Sequence, residues 1–233
     1  MSKQKILRNH FESIKYTESH WILLKQKRER AERLLKMFEG LNPYIYGSIA
    51  RGDVNINSDI DIIFTHVIPS FQIEFLLNKN RFTHYFREII MATPTDAIKL
   101  YIHLSEIESI TIPITKLDKK KLEFYDFGGK INLNELQSGI RSPGIDKRLV
   151  LIKPNPQGHE EFSILNNEVI AAKELGISMD TIIERKKVLL KREKHGRTGV
   201  FLKRLLEVDE STEMVLKKLS DKKPIIRRKL YQK

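Results

Sequence analysis

The apolar residues of this chain change period partway along, and no all-helical or all-strand fold accommodates both periods. Ile14, Trp21, Leu24, Leu34, Leu35 and Phe38 recur at roughly helical spacing, with Lys25, Lys27, Arg28, Arg30, Arg33 and Lys36 on the other side. Residues 11–39 therefore read as one long helix. Gly40 and Pro43 stop it, and the cations of its last turns suit the negative end of the helix dipole. Further on, the run Ala97-Ile98-Lys99-Leu100-Tyr101-Ile102-His103-Leu104 alternates strictly, and Ser109-Ile110-Thr111-Ile112-Pro113-Ile114 alternates again after a polar gap. Period two sends successive side chains to opposite faces of a strand, so residues 97–114 predict a hairpin. The competing reading has Thr95-Asp96 capping a helix over 97–104. Separate helical and strand runs define an α+β chain.

The same criteria place short strands at Tyr44–Tyr46, 59–64 and 87–92, with a short helix over 70–80. Gly128, Gly129, Gly139, Pro143, Gly144, Pro154, Pro156 and Gly158 form the densest cluster of breakers. Across the Pro-Asn-Pro-Gln-Gly turn, residues 149–152 and 161–164 are set to pair as a ribbon. Beyond it the sequence turns helical and basic, so a junction is expected near 160–166. This gives one domain over 1–162 and a smaller one over 163–233.

Charge narrows the function classes. The 233 residues carry 42 Lys and Arg against 30 Asp and Glu, a formal net charge of +12. An anionic partner follows, nucleic acid or nucleotide before a lipid surface. Residues 151–233 alone hold 19 Lys and Arg against 12 Asp and Glu. With no cysteine in the chain, a disulfide scaffold, thiol catalysis and cysteine-ligated zinc or iron–sulfur are excluded. No secretory signal is visible, and no apolar run approaches the roughly 20 residues of a bilayer span. The expectation is a soluble cytoplasmic protein with no membrane partner. A Lys-, Ile- and Glu-rich composition without cysteine also suits a thermophile.

The chemistry concentrates in Gly47-Ser48-Ile49-Ala50-Arg51-Gly52-Asp53 and Ser58-Asp59-Ile60-Asp61-Ile62-Ile63-Phe64. On a strand, Asp59 and Asp61 project to one face while Ile60 and Ile62 enter the core. Two like charges about 6–7 Å apart repel unless a cation lies between them. Hard Mg²⁺ takes such carboxylates and completes its shell with water and phosphate oxygens. Upstream, the Gly47-Ser48 turn lets backbone amides and a hydroxyl approach an anion closely. Together these parts describe a site for a metal–triphosphate.

Gly47-Ser48, ten intervening residues and then Asp59-x-Asp61 on an apolar strand resemble the signature of the DNA polymerase beta-like nucleotidyltransferase superfamily, close to its minimal prokaryotic and archaeal members. The likeness extends over roughly residues 10–115. It implies a mixed sheet flanked by helices and transfer of a nucleoside monophosphate, from ATP or another triphosphate, to a hydroxyl with release of pyrophosphate. By that resemblance Gly47 and Ser48 hold the triphosphate, with Arg51 adding charge near its phosphates. Asp59 and Asp61 ligate two Mg²⁺ ions, one orienting the triphosphate and the other activating the attacking hydroxyl. A third carboxylate is expected on a later strand. Asp96 is the first choice, and Glu108 and Asp126 are the alternatives.

Toward the C-terminus, residues 168–185 resemble a helix-turn-helix. Ala172 is small where helices would cross, Gly176 permits the turn and Ser178 caps the next helix. Lys186, Lys187, Lys191 and Arg192 follow, and Gly196-Arg197-Thr198-Gly199 with Val200-Phe201-Leu202 reads as a basic wing. These features predict a small winged-helix-like domain binding nucleic acid through Lys186, Lys187, Lys191, Arg192 and Arg197. A protein partner is compatible with the same surface, and a transferase-like regulator that senses nucleotide without turnover is the alternative to the enzyme.

Overall fold

The computed structural model describes residues 5–82 and 86–231. The chain begins with β1 (Phe11–Lys15), α1 (Glu18–Met37), β2 (Tyr44–Tyr46), α2 (Ser48–Arg51) and β3 (Ile60–Ile63). It continues through α3 (Ser70–Lys79), β4 (Phe86–Met91), β5 (Lys99–His103) and β6 (Glu108–Pro113). After these come α4 (Lys119–Gly128), β7 (Lys130–Asn132), α5 (Leu133–Gln137), β8 (Gly144–Ile145), β9 (Val150–Asn155) and β10 (Gly158–Ser163). The last elements are α6 (Glu168–Leu175), α7 (Met179–His195), β11 (Leu202–Leu206), α8 (Thr212–Lys222) and α9 (Pro224–Tyr231). The chain is α+β, and its contacts divide it into two compact units.

The first unit takes its residues from Met1–Lys36, Tyr44–Ile60 and Asp118–Thr198. A sheet in the order β1-β10-β9-β8 carries it, every neighbour antiparallel. The ribbon expected across Pro154–Gly158 is β9–β10, with Glu161 opposite Ile152. The long helix begins later than its apolar stripe suggests. Residues 11–15 are β1, paired with β10 so that Ile14 lies opposite His159. A backbone stretch with one half-buried residue satisfies its amides by joining a sheet edge, and α1 starts only at Glu18. Its Leu24, Ala31, Leu34 and Leu35 are buried.

In the same unit Phe127, Ile145, Leu149, Leu151, Ile164, Ala171, Ala172, Ile182 and Leu189 form one core cluster. This cluster holds the helix pair α6–α7. Gly176 is left-handed at φ +62°, and the Ser178 side chain accepts from the Thr181 amide, so turn and cap match the sequence expectation. Ala171 and Ala172, buried on α6, sit in the cluster with Ile182 and Leu189 of α7. The start of α7 docks on α4, where Ser178 and Thr181 donate to the Glu123 carboxylate. Tyr125 and Phe127 are core residues.

The second unit comprises Met37–Pro43, Asp61–Leu117 and Gly199–Lys233. Its strands run in the order β11-β4-β5-β6-β3. The β4–β5–β6 meander is antiparallel, which sets aside the helix alternative at 97–104. Ile89, Leu100, Ile102, Ile110 and Ile112 are fully buried.

Here the structure departs from a winged C-terminal domain. Val200–Leu202 makes no wing: Phe201 donates to the Ala92 carbonyl, and residues 202–206 become β11 on the edge of β4. Arg87 on β4 secures the continuation, donating to the carbonyls of Glu207 and Glu210. The expected junction near 160–166 lies inside the first unit, and residues 199–233 group with the second. Among the described residues no helix is long and apolar enough to cross a membrane.

Candidate functional site

In the first unit the Gly47-Ser48 bend is built by backbone geometry. β2 ends at Tyr46 and pairs with β7, whose neighbour Gly129 accepts from the Gly47 amide at 2.9 Å. Gly47 has φ +80° and ψ −141°, a conformation costly for any residue with a Cβ. A Cβ there would meet nothing within 4 Å, so the glycine is needed for its torsions and the space beside it is open. Ser48 then begins the single turn of α2.

Arg51 does something other than the sequence suggests. It is buried, its Nε and Nη2 grip Asp53 at 3.0 and 2.9 Å, and its Nη1 donates to the Gly128 carbonyl at 2.5 Å. Burial opposes its charge, but the Asp53 carboxylate outweighs this and raises its pKa. A fork engaged on three sides braces the motif against the end of α4.

Asp59 closes this part of the motif. Its side chain is exposed and makes no hydrogen bond or ion pair among the described residues. From Asp59 to Ile62 exposure alternates as exposed, buried, half-buried, buried, the period of a strand edge.

In the second unit Asp61 lies on β3 and accepts a hydrogen bond from Ser109 Oγ at 2.7 Å. Ser109 is on β6 directly opposite His103 of β5. Asp96 precedes Lys99, and Lys99 is opposite Pro113 at the other end of the same hairpin. Four residues of strand separate Lys99 from His103, about 14 Å at 3.4 Å per residue, and Asp96 lies further out still. Its turn is fixed by its own amide donating to the Thr93 carbonyl and by Lys229 of α9 binding the Thr95 carbonyl. The structure therefore does not bring Asp96 to Asp61.

Glu108 is adjacent to Ser109, is buried, and by strand alternation points to the opposite face. Asp126 is on α4 in the first unit, ion-paired with Lys130. The side chain that reaches Asp61 from the next strand is a serine hydroxyl. Sequence reasoning missed Ser109, although its place within an alternating strand was the available signal.

The basic residues of α7 separate into two groups. Lys186 is half-buried and bonded to Glu168 at 2.6 Å, which ties α7 to α6. Lys187, Lys191, Arg192 and Arg197 are exposed and form no ion pair among the described residues. Elsewhere in the first unit Glu161 gathers three basic groups: His10 at 2.7 Å, Arg148 at 2.8 Å and His159 at 3.1 Å. Burial pushes the Glu161 pKa up, but the hydrogen bonds from His159, Arg148 and His10 prevail and bring it down to about 2. Although His10, Glu12 and Glu161 are close enough to share an ion, Glu161 already accepts from His10, Arg148 and His159.

Residues 24–128 match the family model described as "Nucleotidyltransferase domain", a stretch that opens inside α1, contains Gly47, Ser48, Asp59 and Asp61, and ends with α4. The likeness covers a little under half of the chain and supports the polymerase beta-like superfamily and a transferase. No curated protein and no solved structure matches the chain.

Proposed function

We propose that this protein is a divalent-metal-dependent nucleotidyltransferase that moves a nucleoside monophosphate from a triphosphate to a hydroxyl acceptor, releasing pyrophosphate. The observation that carries the reading is the exposure pattern of Asp59–Ile62 within the matched stretch, which leaves both carboxylates on the side the core does not use. Among the described residues Asp59 makes no hydrogen bond or ion pair, and the partners of Asp61 include the Ser109 hydroxyl. Hard oxygen donors of this kind suit Mg²⁺, which when bound would neutralise phosphate charge and favour an ionised acceptor hydroxyl. The Gly47-Ser48 bend, open beside Gly47, would accept the phosphates. The exposed cations Lys187, Lys191, Arg192 and Arg197 support a nucleic-acid acceptor.

Ser109 favours a second reading, nucleotide binding without transfer. A hydroxyl beside Asp61, with Asp96 at the far end of the hairpin, means that the carboxylate first expected to complete the pattern is not the group beside Asp61. Incubation with Mg²⁺, each labelled triphosphate and bulk RNA or DNA separates the readings. Label transfer that vanishes in Asp59→Ala and Asp61→Ala supports the enzyme, whereas nucleotide retention without pyrophosphate release supports the sensor.

A further inference from the structure

In the first unit, basic side chains near the Gly47–Gly52 segment are held by carbonyls instead of carboxylates. His20 Nε2 donates to the Gly52 carbonyl at 2.9 Å and Lys27 Nζ to the Ser58 carbonyl at 2.7 Å. Arg28 donates to the Ile140 carbonyl, and Arg141 to the carbonyls of Gly158, at 2.8 Å, and Asn155. The Arg141 guanidinium also lies over Trp21 at 5.1 Å and Tyr16 at 5.6 Å, contacts that fix its plane. Its side chain packs where a Gly52 Cβ would be, which joins the cluster to the motif.

Carbonyl dipoles orient the lysine and the two arginines without cancelling their charge. Lys27, Arg28 and Arg141 have no carboxylate partner among the described residues, whereas Arg51 has Asp53 and Arg148 has Asp146 and Glu161. Asp53, whose charge reaches Tyr16 in this cluster, is itself gripped by Arg51. The Arg28 Nε is buried without an acceptor, and among the described residues only its Nη2 is held by a carbonyl. Burial, and then the charge of Arg141, bring the Arg28 pKa down to about 10. An anion placed between two guanidinium groups relieves their mutual repulsion and favours the charged form of both.

We infer that Arg141, over Tyr16 and Trp21, and Arg28, bound to the neighbouring Ile140 carbonyl, with Lys27 next to Arg28 on α1, form a binding site for a phosphoryl group of a nucleotide or polynucleotide. Guanidinium and ammonium groups held by neutral carbonyls keep their full charge for phosphate oxygens and match them in sign. The site shares a unit with Gly47, Ser48 and Asp59, yet it does not rest on the transfer reading, because phosphate binding here needs neither metal nor turnover.

The test is thermal unfolding of the full chain in chelator, with sodium tripolyphosphate as one probe and an oligothymidylate as the other. Either probe should raise the midpoint of the wild-type protein by about 5 °C at saturating concentration. A shift with tripolyphosphate identifies the nucleotide's phosphate chain as the source, and a shift with the oligonucleotide alone identifies a backbone phosphate. Arg28→Gln and Lys27→Gln should each lose at least half of that shift, and Arg28→Gln should unfold no earlier than wild type without a probe. Equal shifts in wild type and both variants, or no shift in wild type with either probe, overturn the site. Asp59→Asn, which leaves these cations in place, should keep the full shift even if it abolishes transfer.

Discussion

Ser109 Oγ donates to Asp61 Oδ1 at 2.7 Å, so the position on β6 that reaches the motif carboxylate is filled by a neutral hydroxyl. A third carboxylate would be placed there by Ser109→Asp. Two adjacent carboxylates repel without a cation and bind one more tightly. The variant should bind Mn²⁺ about tenfold more tightly, about 1.4 kcal/mol, in a calorimetric titration, and should unfold at a lower temperature in chelator. Unchanged affinity in a folded variant would mean that Asp61 is not a metal ligand.

Arg51 should behave as a structural residue. Arg51→Met leaves Asp53 as a half-buried, uncompensated charge and removes the donor to Gly128, a loss of about 3 kcal/mol by urea denaturation. Replacing both partners, as Arg51→Met with Asp53→Leu, should recover much of that loss, because no orphaned charge remains. A phosphate ligand would give the opposite pattern, with stability kept and nucleotide affinity lost.

What the sequence revealed depended on how local the signal was. The α6–α7 pair was legible because Gly176, Ser178 and the buried alanines act within a few residues of each other. The β5–β6 hairpin was legible for the same reason. β1 was missed because its partner is β10, almost 150 residues downstream, and an exposed five-residue strand has no periodicity of its own to set against an adjoining helix. The wing was misread because β11 takes its identity from the open edge of β4. Asp96 looked suitable from spacing alone. Which residue reaches Asp61 is fixed by strand order and register, and those favour Ser109.

The β1–β10 edge is tested at Gly158. A Cβ there would lie 1.9 Å from the Ile14 carbonyl oxygen, a backbone atom that cannot swing away. Gly158→Ala should destabilise by about 3 kcal/mol and expose the amides of residues 11–15 to hydrogen exchange. Protection of those amides in the variant would show that β1 does not pair as described.

Glu161 should set part of the acid limit of the fold. Its carboxyl is held at about 2, against an ordinary 4.5, by His159, Arg148 and His10. A depressed folded-state pKa gives stability that is complete above about 4.5 and is lost as pH falls through about 2. Glu161→Gln should therefore lower the unfolding midpoint by a few degrees at pH 7. The gap from wild type should narrow steadily as pH drops from 4.5 toward 2, followed by circular dichroism melts. A gap that is constant with pH would show that the carboxylate charge contributes nothing.

The basic surface of α7 offers a contrast between neighbours. Among the described residues Lys187, Lys191 and Arg192 are exposed without ion-pair partners, so they can replace the counterions of a phosphate backbone, whereas Lys186 is committed to Glu168 at 2.6 Å. Each lost phosphate contact should flatten the slope of log affinity against log salt by about 0.9 on duplex DNA, or about 0.7 on single strands. The double variant Lys187→Gln with Lys191→Gln should thus lose affinity with little change in stability. Lys186→Gln should do the reverse, loosening α7 from α6 while leaving the salt slope in place. Fluorescence anisotropy across a salt series, paired with thermal melts, reads both quantities. A salt slope unmoved by the double variant would exclude α7 as the nucleic-acid surface, because a charge that touches a phosphate cannot be removed without changing the number of counterions released.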